Sequence, residues 1–393
     1  MYSNNNTSCD LNRLLNVYFE KAVKIRSDEN DQVIQVVHET VDNILKAVNK
    51  ADPRFARPNE AKYVGSYYQG LKVKRPDEFD ITVPMTQIPN PVWTSHRRRY
   101  YGFNRTVPES QTTVPNDLTV VRKDFPLPLP PPGQMFLSLR NDHRTSRQHK
   151  DLMFDDDLIP FLVRRMFKRL VTDAIKDLGL VEKVRISKFV HGPAITLKIN
   201  TSDLPFEVRV DLAPMCNAKL PFISWTDWPR RERRWPPEEK IKAIKATEIS
   251  AVAKKDFNWT LSFSECEREL IMKIDTNEGV RTKCHMIMKS LREEFWCPYG
   301  MKQVMTSYDL KNLLFWECER NPLDGDWTSD KLAERFLGMT HQLLVHLRQR
   351  HLSMYFYPDV KLFKEEDAEY LDEVARRVED FLTDPSLQLC SNH

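Results

Sequence analysis

The segment 63–85, YVGSYYQGLKVKRPDEFDITVPM, limits the possible folds of this chain more than any other. It contains a Gly-Ser turn, a short helical or irregular piece, and then a strand that carries Glu78 and Asp80. Residues two apart on a strand point to the same face, so these two carboxylates lie side by side. Like charges this close repel each other unless a cation lies between them. The pattern predicts a strand that holds a divalent metal, with Mg²⁺ as the usual ion.

The turn Gly65-Ser66, which precedes this strand, is a second predicted feature. Glycine lets the backbone approach a ligand closely, and exposed N–H groups beside a hydroxyl can hold an anionic oxygen. Each feature alone has a plainer interpretation, because acid pairs are usually solvated surface and Gly-Ser is an ordinary turn dipeptide. Their combination within a β-rich apolar run favours a site for a metal and a phosphate.

Asp211 is the candidate for a third carboxylate. Its segment 206–213, FEVRVDLA, alternates apolar and polar residues, which predicts a strand with Asp211 on the face opposite the valines. A lone Asp on a strand usually lies at the surface. If this strand pairs beside the one that carries Glu78 and Asp80, however, the three carboxylates form a trio.

Composition restricts the compartment in which the chain works. The seven cysteines are dispersed without a C-x-x-C pair, which predicts free thiols in a reducing compartment and no zinc site. The N-terminus has no apolar signal core, and no apolar run reaches membrane-spanning length. The net charge of +3 is too small to mark the whole chain as a polycation. We expect a cytoplasmic protein, with the nucleus not excluded, that has no membrane partner.

Hydrophobic periodicity predicts most of the secondary structure before residue 240. A broad apolar stripe predicts a helix at 31–50, which is either a spine between two lobes or a plain packing helix. The segment 86–135 is rich in Pro, Thr and Asn, which predicts a long insertion or a mobile loop. The other predicted elements are helices at 11–26 and 152–178, the latter with Pro160 near its start or at a kink, strands at 135–140, 183–199 and 206–213, and a Trp/Pro/Arg-rich connector at 221–240.

Beyond Lys240 the composition is helical to the end of the chain. The predicted helices are 262–275, 280–295, 304–319, 328–351 and 365–383. The sequence therefore predicts an α+β protein with a mixed-sheet lobe at 1–240 and a helical lobe at 241–393. A cleft between lobes is a favoured place for a ligand.

The predicted carboxylate trio, the Gly-Ser turn and the α/β core fit metal-dependent nucleotidyl transfer, in which two ions activate a hydroxyl and stabilise the leaving pyrophosphate. The sequence has no GxxxxGK[ST] motif and no kinase signature, so neither of those classes is supported.

The chain resembles the cGAS-like receptors, enzymes of the cyclic GMP–AMP synthase and Mab-type nucleotidyltransferase family. The resemblance spans about residues 11–358 and is most specific in GSYYQG and PDEFDITV, which match the family's Gly-Ser and Glu-x-Asp signature. It implies a bilobal nucleotidyltransferase fold, with a mixed sheet and a long spine helix followed by a helical lobe. Further matches, in the family's order, are HGPAITLKI, FEVRVDL, WTLSFSECERELI, KCHMIMKSL, MTSYDLKNLLFWECERNP and MYFYPDVKLF.

The resemblance implies a role for each matched residue. Two ions of Mg²⁺ or Mn²⁺ would be held by Glu78, Asp80 and Asp211, and Asp211 would also help to activate the attacking hydroxyl. The donor phosphates would be held by Gly65 and Ser66, and the triphosphate would contact Lys289 and Ser307. A base would stack on Tyr308. The rest of the nucleotide pocket would be lined by Lys254, Ser262, Ser264 and Glu267.

Four of these residues also have structural interpretations. Ser264, with Glu267 three residues later, fits a helix N-cap with a capping box. Tyr308 fits a core position. Lys289 fits a solvated cation on the surface of a helix.

The departures from the family pattern bear on the ligands. The vertebrate enzyme carries a zinc ribbon where this chain has only KIDTNEGVRTK, so no zinc is expected and double-stranded DNA is the less favoured activator. The resemblance is to the invertebrate branch, for which double-stranded RNA is the favoured activator. Two positions that help to read guanine in the vertebrate enzyme are Thr260 and Ala213 here. The expected substrates are ATP and GTP, while the bases and the linkage of the product stay open.

A nucleic-acid-activated enzyme needs a basic surface for phosphates. The candidates are Lys21, Lys24, Arg26, Lys46 and Lys50 along the helices, and Arg230, Arg231, Arg233 and Arg234 in the connector.

The sequence thus predicts a sensor of innate immunity that makes a cyclic dinucleotide for a downstream receptor, with a ligand-induced dimer as one possible state. Two other functions stay open: a catalytically inactive Mab-type scaffold or developmental protein, and a nucleotidyltransferase that acts on RNA ends. The complete acid trio together with the Gly-Ser turn favours an enzyme over a scaffold.

Overall fold

The computed structural model describes residues 4–25, 30–57, 59–85, 88, 92–94, 100–104, 119–123, 130–139, 143–187, 194–217, 226–230, 232–275 and 279–391. Its α-helices are α1 Asn4–Tyr18, α2 Asn30–Ala51, α3 Gly65–Tyr68, α4 His143–Gln148, α5 Pro160–Asp177, α6 Glu238–Ala246, α7 Ser264–Ile271, α8 Val280–Leu291, α9 Ser307–Arg320, α10 Leu332–Arg348, α11 Ala368–Thr383 and α12 Pro385–Leu389. None of the helices within these ranges combines the length and the apolar character needed to cross a membrane.

The strands form one large mixed sheet and a separate two-stranded ribbon. They are β1 Lys62–Val64, β2 Glu78–Pro84, β3 Val92–Thr94, β4 Tyr100–Asn104, β5 Thr119–Lys123, β6 Gln134–Ser138, β7 Met153–Phe154, β8 Asp157–Leu158, β9 Val184–Ile186, β10 Ile195–Ile199, β11 Val208–Asn217, β12 Ser250–Val252 and β13 Trp259–Ser262. The main sheet has the order β1-β2-β11-β12-β13-β6-β8-β7, with β10 and β9 joined to β11 and with β3 joined to β6. The ribbon consists of β4 and β5.

The helix predicted at 31–50 is confirmed as α2, and its apolar stripe faces the sheet. Val33, Val37 and Val41 are fully buried in a cluster that also contains Phe79 of β2 and residues of α5. The stripe repeats every three to four residues, so one side of α2 packs against its neighbours and the other side faces solvent.

A second hydrophobic cluster forms the helical part of the molecule. It consists mainly of residues from α7 to α11, but it also contains Leu15 and Tyr18 of α1. The chain therefore has the predicted architecture, a mixed sheet with helices joined to a helical lobe. The division between the two clusters differs from the predicted lobe boundary at residue 240, because α1 packs in the helical cluster although it lies near the start of the chain.

Two predicted helices have different limits in the structure. The helix predicted at 11–26 ends at Tyr18 and continues as a π-helical turn at Phe19–Val23. The helix predicted at 152–178 begins only at Pro160, because residues 153–158 form the β7–β8 hairpin. Proline has no N–H and a fixed φ, which suits the first position of a helix, so the prediction that Pro160 lies near the helix start is confirmed.

Of the two alternatives for 86–135, a long insertion or a mobile loop, the loop is wrong for the described residues. Strands β3, β4 and β5 lie within it, and β3 pairs with β6 in the main sheet. These strands have only three to five residues each, which is too short for alternation to show among prolines and threonines. Of the basic-aromatic stretch HRRRYY, the first four residues lie outside the described ranges.

The strand predicted at 183–199 is two strands, since β9 and β10 pair with each other in antiparallel fashion. The sequence between them includes Gly192-Pro193, which lies outside the described residues.

The expectation of helices throughout after Lys240 is also wrong. Strands β12 and β13 join the main sheet, and the helix predicted at 262–275 begins at Ser264. The four later helices lie where they were predicted, within a few residues at each end.

Candidate active site

The predicted trio lies on one face of two neighbouring strands. Strands β2 and β11 are parallel, and their register places Asp80 directly beside Asp211. Glu78 is two residues before Asp80, so its side chain starts from the same face. The opposite face is buried, because Phe79 and Ile81 are at most 1% exposed. The sheet thus gathers the three carboxylates that the sequence placed on two separate strands.

The surroundings of Asp80 disfavour the ionised form of its carboxyl group. Burial, followed by the charges of Glu78 and Asp211, raises the pKa of Asp80 to about 7. Glu78 has a counter-ion, since Lys72 Nζ lies 3.3 Å from its Oε2. The hydroxyl of Thr196 donates a hydrogen bond of 2.5 Å to Asp211. A cation next to Asp80 would stabilise its ionised form.

Carboxylate oxygens are the ligands that Mg²⁺ and Mn²⁺ prefer, and the excess of negative charge at Asp80 fits a cation. The described residues nevertheless include no set of three or more His, Cys, Asp or Glu side chains gathered closely enough to hold a metal. The trio therefore fits a divalent ion in donor type and charge. The three side chains would have to move closer together when the ion binds. The ligands would be Glu78, Asp80 and Asp211.

Gly65 brings the backbone against the carboxylate trio. Its φ is +81°, and a Cβ at this position would lie 1.9 Å from Oδ2 of Asp80. A side chain is therefore excluded, which explains glycine at this position. The next residue, Ser66, accepts a hydrogen bond of 3.1 Å from Lys289 Nζ of α8.

Lys289 is only 4% exposed, so its interpretation as a solvated surface cation is wrong. Burial, followed by the charge of Lys72, lowers the pKa of Lys289 to about 8. The structure therefore brings a buried ammonium group to the Gly-Ser turn.

A cavity of about 390 Å³ opens beside the carboxylates. This volume is within the range of small-molecule sites. Of the predicted site residues, those that line it are Gly65, Asp80, Asp211, Lys254, Ser262, Ser264, Glu267 and Tyr308. The predicted residues that lie outside its lining are Ser66, Glu78, Lys289 and Ser307.

The capping box predicted as an alternative for Ser264 and Glu267 is absent. Helix α7 begins at Ser264, its N-cap is Phe263, and no side chain caps it. Glu267 instead faces the cavity, where it accepts hydrogen bonds from Lys311 and Tyr308. Burial is the main cause that raises the pKa of Tyr308 well above its usual value.

Lys311 is a site residue that sequence reasoning missed. Besides its ion pair with Glu267, it donates a hydrogen bond of 3.3 Å to Gln69, and its Nζ lies 5.3 Å from the ring centre of Tyr308. The sequence did contain a signal, because Lys311 follows Ser307 and Tyr308 by four and three residues and thus shares their helix face.

The predicted nucleic-acid contacts divide into exposed and internal side chains. The side chains of Lys21, Lys46 and Lys50 are exposed. Lys24 is also exposed and forms an ion pair of 3.0 Å with Glu20. Arg26 lies outside the described residues.

In the connector, Arg230 is half-buried, forms an ion pair with Glu319 and stacks on Trp316 with its Cζ 4.2 Å from the ring centre. Arg233 pairs with Glu238 at 2.9 Å, and Arg234 is exposed. Arg231 lies outside the described residues.

The sheet, the carboxylates and the cavity define a protein of the nucleotidyltransferase type, and comparison with known proteins identifies its family. The Mab-21 protein nucleotidyltransferase domain matches residues 67–273, and the Mab-21 protein HhH/H2TH-like domain matches residues 280–380. The chain therefore belongs to the Mab-21 family, and the predicted α+β nucleotidyltransferase fold with a helical C-terminal part is confirmed.

Two relatives cover most of the chain. Protein mab-21-like 3 of Danio rerio is 33% identical over 322 residues, which cover 81% of this chain and 78% of that protein. Protein mab-21-like 3 of Xenopus laevis is 28% identical over 359 residues, which cover 91% and 92%.

Proposed function

We propose that this protein is a metal-dependent nucleotidyltransferase that joins nucleoside triphosphates into a cyclic dinucleotide. The observation that carries the proposal is the pairing of Asp80 with Asp211 on one face of adjacent parallel strands, at the wall of a cavity of nucleotide size. A protein that needed only the fold would have no reason to keep a buried Asp80 whose pKa is raised to about 7.

Each side chain of the site has a role in this proposal. A divalent ion, when bound, would supply activation of the attacking hydroxyl and stabilisation of the leaving pyrophosphate. Ser66 and Lys289 are proposed to hold the triphosphate, where the buried ammonium group offsets its charge. Thr196 orients Asp211 through its hydrogen bond. A base is proposed to stack on Tyr308.

The choice of nucleotide would be made in the cavity. ATP and GTP are the proposed substrates, with Thr260 and Ala213 in the lining at the positions that help to read guanine in vertebrate relatives. No guanidinium group lies at either position, so the base composition of the product is a question for the assay.

Double-stranded RNA is the proposed activator, ahead of double-stranded DNA. The exposed Lys21, Lys46 and Lys50 offer cations to a phosphate backbone, and A-form RNA is recognised mainly by its shape and backbone. Binding would shift the protein toward a state in which the carboxylates converge. The proposal places the protein in the cytoplasm, with a downstream receptor for the product and a ligand-induced dimer as the active form.

A second candidate function is that of a non-catalytic member of the Mab-21 family. The observation that favours it is the ion pair between Lys72 and Glu78, which gives one metal ligand a permanent counter-ion. In such a protein the ammonium group of Lys72 would neutralise Glu78 in place of a metal ion.

The test is an assay with radiolabelled nucleoside triphosphates and Mg²⁺ or Mn²⁺, without nucleic acid, with long double-stranded RNA, or with long double-stranded DNA. The Glu78→Ala/Asp80→Ala protein is the blank. Asp173→Asn, which removes one exposed carboxylate on α5, is the control for a change of charge alone. We expect a phosphatase-resistant small product with RNA only, from the unchanged protein and from Asp173→Asn.

Other outcomes would change the assignment. Label that enters the RNA itself would identify an enzyme that acts on RNA ends. No product with any nucleic acid, together with a failure to bind metal and triphosphate in equilibrium dialysis, would overturn the catalytic proposal and favour the scaffold.

A further inference from the structure

A second cavity, of about 280 Å³, lies between the connector and the end of α9. None of its lining residues lines the candidate active site. We name it the arginine pocket. Its lining consists of Arg230, Glu232, Arg233, Arg234, Glu319, Arg320 and Pro322.

The floor of the arginine pocket is a fixed ion pair. Arg230 donates from Nη2 to Oε1 of Glu319 at 2.5 Å and from Nε to Oε2 at 3.2 Å. Tyr355 donates a further hydrogen bond of 2.9 Å to the same carboxylate, and the guanidinium of Arg230 lies over the rings of Trp316 and Tyr355. These contacts hold Arg230 and Glu319 in place and satisfy the charge of both.

The rim has more positive than negative groups. Once Arg230 and Glu319 are taken as a neutral pair, three guanidinium groups remain in the lining against the one carboxylate of Glu232. Arg233 and Arg320 have partners outside the pocket lining, Glu238 and Glu317. A guanidinium carries five N–H donors, so one such partner leaves donors for a ligand. Arg234 is exposed and forms no ion pair with any residue that the structure describes.

We propose that the arginine pocket binds a phosphate monoester. The planar guanidinium fork matches phosphate oxygens in bidentate geometry. A phosphate monoester carries a charge of about −1.5 to −2 at neutral pH, and its oxygens can accept hydrogen bonds from the N–H groups that Arg233, Arg234 and Arg320 do not use in ion pairs. A concave space of this volume receives one phosphate and the group attached to it, whereas a duplex backbone needs a stripe of outward-facing cations. The arginines that sequence analysis assigned to a duplex thus serve a discrete ligand.

The test is isothermal titration of the full chain with inorganic phosphate and with AMP, in EDTA and at near-physiological salt. Arg234→Gln/Arg320→Gln should weaken binding at least about tenfold, roughly 1.4 kcal/mol. Glu232→Gln should strengthen it, because it removes a carboxylate from the lining of the pocket. A role of these residues in folding alone would not produce opposite changes in affinity.

Two controls separate the pocket from other sites. Arg185→Gln removes an exposed arginine on β9, and Arg169→Gln removes an exposed arginine on α5. Neither change should alter the affinity by more than about twofold, roughly 0.4 kcal/mol. Thermal unfolding of every variant checks that it is folded. Equal losses in Arg185→Gln and Arg234→Gln/Arg320→Gln, or no binding by the unchanged protein, would overturn the proposal.

A competition experiment identifies the source of the phosphate. Short single-stranded RNA with or without a 5′-phosphate is added to the phosphate-bound protein. Displacement by the 5′-phosphorylated RNA only supports the pocket and names an RNA end as a ligand, and displacement by AMP but by neither RNA supports the pocket for small molecules. Equal displacement by both RNAs would show backbone binding and contradict the proposal.

Discussion

At the scale of single residues, Asp80 and Gly65 depend on each other. Asp80 is a carboxylate whose ionised form is disfavoured by burial and by two neighbouring acids. Gly65 leaves just enough room for it, since any Cβ would overlap its oxygen. An energetically unfavourable carboxylate, Asp80, and a backbone with positive φ, Gly65, therefore lie in direct contact. Such local strain is typical of a functional site.

The charge of Asp80 predicts a pH dependence of stability in the absence of metal. The pKa of about 7 in the folded state lies above the unfolded value, so the folded protein binds the extra proton. Stability should therefore fall as the pH rises from the unfolded to the folded pKa. Asp80→Asn removes this loss, so its advantage over the unchanged protein should grow toward neutral pH and reach about 2–4 kcal/mol.

This prediction is checked by urea unfolding in EDTA at several pH values from mildly acidic to mildly alkaline. Asp173→Asn, on the exposed side of α5, serves as the control and should show no such trend. A constant difference between Asp80→Asn and the unchanged protein across this range would contradict a raised pKa.

Gly65→Ala should destabilise the protein more than Gly70→Ala. Both glycines have positive φ, at +81° and +69°, so both changes carry a backbone penalty of about 1–2 kcal/mol. Only Gly65 faces an obstacle, because no atom lies within 4 Å of a Cβ built at Gly70. We expect an additional loss of about 1–3 kcal/mol for Gly65→Ala. Denaturant unfolding of the two variants measures this difference, and equal losses would show that Asp80 moves aside freely.

At the scale of elements, Arg54 fixes the end of α2 to the chain that precedes α5. Its guanidinium bonds Asp52, which directly follows α2, and also Asp151 and the carbonyl oxygen of Gln148. The hydrogen bonds that Arg54 donates to Asp151, and then to Asp52, raise the pKa of Arg54 above its usual value. This cluster ties the end of α2 to residues 148–151, just before α5.

Arg54→Ala should lower the free energy of unfolding by about 2–4 kcal/mol, because it leaves two carboxylates without their partly buried counter-ion. Arg57→Ala is the matched control. Arg57 lies three residues later, and its ion pair with Glu60 is 3.6 Å long and about half exposed. Its loss should be below about 0.5 kcal/mol in the same urea titration. Similar losses in both variants would mean that the Arg54 cluster has no special role.

At the scale of the whole molecule, the N-terminal helix belongs with the C-terminal lobe. Asn12 of α1 bonds the backbone of Ser329 and Ala333, and Tyr18 bonds Ser290 and Glu294. The helical lobe is thus built from both ends of the described chain. The Gly-Ser turn is tied to the helical lobe as well, through Lys289, and Gln69, which follows α3, is bonded by Lys311.

Leu15→Ala tests this arrangement. Leu15 is fully buried in the helical cluster, so its truncation should cost about 2–5 kcal/mol. Val17, on the same helix, is 38% exposed, and Val17→Ala should change stability by less than about 1 kcal/mol. Thermal unfolding of both variants measures this contrast. A small effect of Leu15→Ala would show that α1 is not an integral part of the helical lobe.

Much of the candidate site could be predicted because it depends on local pattern. Alternation placed Glu78, Asp80 and Asp211 on the polar faces of their strands, and the apolar stripe defined α2. Lys72 could not be assigned in this way, since a lysine in a sequence looks the same whether it ends in solvent or in an ion pair with a carboxylate. Lys311 shares a helix face with Ser307 and Tyr308, but its ion pair with the buried Glu267 depends on the tertiary structure. The short strands β3, β4 and β5 were missed because only their partners in the sheet stabilise them.

The buried side of each long strand and helix follows from the amino-acid sequence, because the spacing of apolar residues matches the geometry of the element. Which elements meet depends on the complete fold. The parallel pairing of β2 with β11, the packing of α1 against the helical lobe and the joining of β12 and β13 to the sheet all link distant parts of the chain. Burial of a hydrophobic face is favourable whatever apolar surface covers it. Which element covers it depends on the fit of the two surfaces and on the free energy of the complete fold.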